Sequence, residues 1–182
     1  MTKDIIPEAI LGHIPCQNAF CTALEHMLVL STGARAGLKT TGWALPETGR
    51  ALDALDTIFS RVARENSKLM PKAPEGGVRH EAEAVDGAGL GVYRIGWGDE
   101  EQAEAYRLGC RHASAILKAV RGAADRAGSG PIRALEVLNE TLQGQVTMAR
   151  EEHANLRRLI EQEDMAEKAA MAAARAEVPA HA

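Results

Sequence analysis

Between Pro131 and Pro179 the chain has no other proline and a single glycine, Gly144. Nothing in that stretch stops a helix, and a helix throughout would be roughly 70 Å long at 1.5 Å per residue. A compact bundle of a chain this size does not need such a length, so the far part must project or pack on a partner. Leu135, Leu138, Leu142, Val146, Ala149, His153, Leu156 and Ile160 recur at three- and four-residue spacing. Projected at about 100° per residue they share one face, which predicts a core stripe with His153 in it. From Met165 to Ala176 the sequence "MAEKAAMAAARA" combines high helix propensity with little apolar bulk. The expected division is a bundle over residues 1–164 and an Ala-rich helical extension over residues 165–182, frayed at "VPAHA".

Three further helices are punctuated upstream. Pro15 suits the first turn of a helix running to about Thr32, where Gly33 offers a stop, with Phe20, Cys21, Leu24, Met27, Leu28 and Ser31 on one face. A second opens near Pro46-Glu47, carries Leu52, Leu55, Phe59 and Val62 as its stripe, and ends in a loop from Lys68 to Gly77. For the third, Asp99 is the expected N-cap, with Gln102 at the capping-box spacing. Glu100, Glu101 and Glu104 near its start and Lys118, Arg121 and Arg126 toward its end suit the helix dipole, and its stripe is Tyr106, Cys110, Ala113, Leu117 and Val120. "AGSGP" at Ala127 to Pro131 is a tight helix–helix connection. The segment "VDGAGLGVYRIGWGDE" scatters five glycines among Leu90, Val92, Tyr93, Ile95 and Trp97, which predicts a structured loop or a short β element. Both tryptophans, Trp43 and Trp97, follow a glycine and precede a helix start, where a bulky residue pins the incoming chain. The predicted fold is therefore all-α: an antiparallel bundle of about four helices, a glycine-rich loop or short β element between the second and third, and an extended C-terminal helix.

Composition fits that class. Aromatic residues make up only 3% of the 182 residues, so small aliphatic side chains must do the packing, which suits closely approaching helices. A net charge of −4 argues against binding along a nucleic-acid backbone, and Arg157-Arg158 is hemmed in by Glu151, Glu152, Glu161 and Glu163. No apolar run approaches a membrane span, and Lys3, Asp4, Pro7 and Pro15 interrupt the N-terminal region where a secretory leader would be apolar. With three cysteines, an odd number, the expectation is a cytoplasmic protein with reduced thiols.

The stretch "AREEHANLRRLI" at Ala149 to Ile160 resembles in texture the last helix of ferritin-like di-iron proteins, where a glutamate and a histidine three residues on reach one metal. It departs at the decisive position, because Arg150 stands three residues before His153. None of the other histidines has a carboxylate at that spacing, and Cys-x-x-Cys pairs are missing. The glycines at Gly87, Gly89 and Gly91 are followed by Val92 where a dinucleotide fingerprint needs its third glycine, and there is no P-loop triplet. His112 in "CRHASAILK" lacks the surroundings of a phosphotransfer histidine. Cys16, near the entry to the first helix, is expected to be the more exposed thiol, and Cys21 and Cys110 to face the core.

No matched catalytic set emerges, which inclines the expectation away from an enzyme. The leading expectation is a protein that acts by association, as a homo-oligomer or with a protein partner through the C-terminal helix. The alternative is a metal- or haem-binding sensor or oxidoreductase bundle centred on His153, with Cys110, Cys21 and His26 as candidate ligands. A third is a small-molecule pocket under the loop from Asp86 to Gly98, walled by Tyr93 and Trp97.

Overall fold

The computed structural model describes residues 5–41, 44–69, 83–84, 93–94 and 96–176. Four long helices dominate: α1 (Ile14–Thr40), α2 (Thr48–Glu65), α3 (Glu100–Ala127) and α4 (Pro131–Ala176). A 3-10 turn, Glu8–Ile10, precedes α1. Between α2 and α3, β1 (Glu83–Ala84) pairs antiparallel with β2 (Tyr93–Arg94), so the glycine-rich region does carry a short β element. Among the described residues no helix is long and apolar enough to cross a membrane.

Contacts at the two ends of the bundle fix its topology. At one end Thr48 Oγ1 donates to the Ser129 carbonyl at 2.6 Å, and Arg35 and Lys39 reach Glu136 at 2.6 and 3.4 Å. The end of α1, the start of α2, the end of α3 and the start of α4 therefore meet there. At the opposite end His13 lies 3.9 Å from Glu101, bringing the starts of α1 and α3 together. Successive helices are antiparallel, while α1 and α3 run in the same direction and touch directly through the middle. The contact is made at Gly109, where an added Cβ would come within 2.6 Å of the Phe20 carbonyl oxygen and 2.7 Å of Ala23 Cβ. A side chain on α3 would hold the two helices apart, so the glycine sets their spacing.

The core follows the predicted stripes. Phe20, Cys21, Leu24 and Met27 of α1, Leu52, Leu55 and Phe59 of α2, Tyr106, Cys110, Ala113 and Leu117 of α3, and Leu135, Leu138, Leu142 and Ala149 of α4 are all buried. α1 departs from expectation in its length. It passes through Gly33 to Thr40, because Gly33 is not in the left-handed conformation that ends a helix, and Ala34 and Leu38 still pack on the core beyond it. Gly128, by contrast, does stop α3, at φ 61° with its N–H on the Ala124 and Asp125 carbonyls.

Asp99 caps α3 by accepting the Gln102 N–H at 2.8 Å. The reciprocal half of the capping box is different, since the Gln102 side chain binds the Asp99 carboxylate and not its backbone N–H. Asp99→Ala is expected to cost about 1 kcal/mol in urea unfolding, the usual loss for an N-cap acceptor. Trp97 secures the approach to that cap. Its ring is 7% exposed, its indole N–H donates to the Asn66 carbonyl at 2.6 Å, and its backbone N–H donates to Lys68 at 3.2 Å, tying the end of α2 to the start of α3.

Candidate functional site

α4 outruns the other helices, with 46 residues against 27 in α1 and 28 in α3. Among the described residues its last hydrogen-bonded anchorages to the rest of the bundle are made by Arg150, Glu152 and His153. Arg150 grips Glu25 of α1 with Nε and Nη2 at 2.6 and 2.7 Å, and donates from Nη1 to Asn18 at 2.7 Å. The position where a di-iron helix would carry a ligand is thus a forked strut between α4 and α1. Hydrogen bonds to Glu25 raise the Arg150 pKa further, so the guanidinium stays charged. Glu152 does not bind a metal-type partner either; its Oε2 accepts the N–H groups of Ile5 and Ile6, each at 3.0 Å, and so straps the segment before the 3-10 turn onto α4.

His153 is half-buried at the margin of the core and not within it. Its Nδ1 lies 3.1 Å from Gln17 Oε1. The Gln17 amide N–H is engaged by the Ile10 carbonyl at 3.3 Å, so its oxygen faces the imidazole, which donates from Nδ1. Desolvation, then Arg150 and Arg157, lower the His153 pKa. Gln17 is fully buried and was not among the sequence candidates; its place beside Phe20 and Cys21 on the α1 stripe was the available signal.

The remaining candidates lie elsewhere. His26 Nδ1 is 2.8 Å from the Tyr106 hydroxyl, which also pairs with the Asn66 side chain and the Cys110 thiol. Tyr106 is fully buried, its ring 5.4 Å from that of Trp97 and tilted against it by 40°, and burial pushes its phenol pKa well up. Burial likewise lifts Cys110 to about 12 and lowers His26. Cys21 lies near the Arg150–Glu25 pair and is lifted by burial to about 11. The structure therefore puts Cys110 and His26 on one tyrosine, His153 on a glutamine and Cys21 under the strut. Among the described residues no group of three or more His, Cys, Asp or Glu side chains is arranged to hold a metal ion. Cys16, expected to be the more exposed thiol, is 4% exposed and part of the core cluster, with Asp99 and Glu101 at the start of α3 near it. All three cysteines are free thiols, and burial raises the Cys16 pKa as well.

Two features remain open to solvent. One is a groove of about 630 Å³ between α2 and α3. Of the pocket expected under Asp86 to Gly98, most residues and the Tyr93 side chain lie outside the described residues, and Trp97 is packed in the core instead of lining this groove. The other is the far part of α4, where every residue from Glu161 to Ala173 is exposed on a continuous helix. No family model matches the chain, and no curated protein or solved structure matches it either.

Proposed function

We propose that this protein acts by association, and that the projecting part of α4 pairs antiparallel with the same segment of a second copy. The observation that carries this is the continuation of the α4 core stripe beyond the bundle. Leu135, Leu142, Ala149 and Leu156 repeat every seven residues; that repeat meets Glu163 and then Ala170, while Leu138, Leu159, Ala166 and Ala173 fall on the companion position three residues on. Leu135 is buried and Leu156 packs on the core, whereas Leu159 is 55% exposed. The alanines on that register would let two helix backbones approach closely. Charge selects the direction of pairing: Arg157 and Arg158 lie nearer the bundle, while Glu163, Asp164 and Glu167 lie further out. An antiparallel partner sets each basic pair against the other's acidic group, and a parallel one sets like against like. Three unpaired thiols support a cytoplasmic setting.

Light scattering coupled to size exclusion tests the proposal on the full chain and on a chain ending at Glu163. The full chain is expected at twice the chain mass and the shortened one at a single chain mass, with equal melting of the bundle. A monomeric full chain across the accessible concentration range overturns the proposal.

A further inference from the structure

The groove between α2 and α3 gathers positive charge. Four cationic side chains, Arg64, Arg107, Arg111 and Lys118, line it against one carboxylate, Asp56, in a chain whose net charge is −4. Its volume of about 630 Å³ is that of a small-molecule site. Because α2 and α3 are antiparallel, the charges are sorted by end. Lys118 and Asp56 face each other at 4.0 Å at one end, and Arg64 and Arg107 stand at the other with Arg111 between. Ala63 and Ala115 supply apolar surface along the same channel, over the buried Phe59 ring, and Ser60, Ser67 and Ser114 supply hydroxyls.

The arginines have carboxylate partners, but none of those partners lines the groove. Arg107 pairs with Glu100 and with Glu104 at 3.2 Å, Arg111 pairs with Glu104 at 2.5 Å, and Arg64 lies 3.9 Å from Glu65. Pairs this exposed add little to stability, so a ligand inside the groove can recruit the guanidinium groups at small cost. Arg107 and Arg111, one helical turn apart, already converge on the single carboxylate of Glu104, so both guanidinium groups can reach one carboxylate or phosphate.

We propose that this groove is a binding site for an organic anion with an apolar body. The anionic head sits at the Arg64–Arg107–Arg111 end, and the body lies along Ala63 and Ala115 toward Asp56. Glu104 competes with the head for Arg107 and Arg111.

Octanoate, 1-octanol and inorganic phosphate, titrated separately into the full-length ¹⁵N-labelled protein and followed by amide shifts, test this directly. Octanoate is expected to give saturable shifts at Ser60, Arg111 and Ser114, and to bind about tenfold more tightly than either octanol or phosphate alone. Arg107→Gln combined with Arg111→Gln should weaken octanoate about tenfold, Glu104→Gln should tighten it, and Asp56→Asn should not weaken it. Equal binding of octanoate and octanol, or of octanoate and phosphate, overturns the site as proposed. So do shifts confined to other surfaces, or octanoate affinity that neither arginine nor Glu104 replacement moves. The opposite expected signs of the arginine and glutamate variants separate loss of the site from loss of the fold.

Discussion

Gly109→Ala is expected to destabilise the protein by about 1 to 3 kcal/mol, and Gly109→Val by more, although alanine is ordinarily the better helix former. An interior glycine costs a helix about 1 kcal/mol relative to alanine, so the substitution should help if nothing stood in the way. At Gly109 the obstacle is backbone: the Phe20 carbonyl oxygen lies 2.6 Å from the added carbon, and Ala23 Cβ lies 2.7 Å away. No rotamer change relieves either contact. α1 and α3 must separate, which loosens Phe20 and Tyr106 on either side of the crossing. Gly144 is the matched control, being an exposed α4 glycine with no atom within 4 Å of an added Cβ. Gly144→Ala is expected to stabilise by up to about 1 kcal/mol. Urea unfolding of the two variants should move in opposite directions; if Gly109→Ala gains stability as Gly144→Ala does, the crossing is not as tight as described.

The same pair of glycines shows which parts of the fold can be read from the sequence. Helical periodicity marks the stripes on α2, α3 and α4, because a stripe depends only on residues of one helix and on their common exposure to a core. It does not say which helix faces which. Gly109 interrupts α3 as any interior glycine would, and its purpose exists only once α1 lies across it. Gly33 errs in the other direction: it has the composition of a stop, but Ala34, Leu38 and the Arg35–Glu136 bridge supply tertiary reasons for α1 to continue. Cys16 was misplaced for a related reason, since its burial depends on the elements packed against the helix and on no feature of the helix itself.

The site residues divide in the same way. That Arg150 is no metal ligand follows from its chemistry, but its partners Glu25 and Asn18 are more than a hundred positions away. His153 could be placed near the core by angle alone, whereas Gln17 could not be singled out, because many polar residues on a stripe would satisfy an imidazole equally well. Tyr106 is the clearest omission. A tyrosine on a buried stripe must find a partner for its hydroxyl, and with so few aromatics in the chain that requirement was visible without a structure.

Tyr106→Phe should cost about 1 to 3 kcal/mol while leaving the core filled, because removing one hydroxyl strips a partner from His26, Asn66 and Cys110 together. The packing of the aromatic ring is unchanged, so the loss reports the polar network and not a cavity. The same network makes stability depend on pH in a definite direction. Desolvation lowers the His26 pKa, with Glu25 opposing it more weakly. Below the ordinary histidine value of about 6.5 the unfolded chain takes up a proton that the folded chain refuses, so stability falls as the solution is acidified and is fully present above that value. His153 contributes with the same sign, its pKa being lowered by desolvation and by Arg150 and Arg157. Urea unfolding at pH 7.5, 6.5 and 5.5 should show this decline before ordinary carboxylates begin to titrate. His26→Gln should lower stability at pH 7.5 yet flatten the decline toward pH 5.5, two effects that a purely structural role for His26 would not produce together. An unaltered slope in that variant would assign the acid response to His153 or to other groups, and a wild-type stability that rises on acidification would contradict a desolvated His26 altogether.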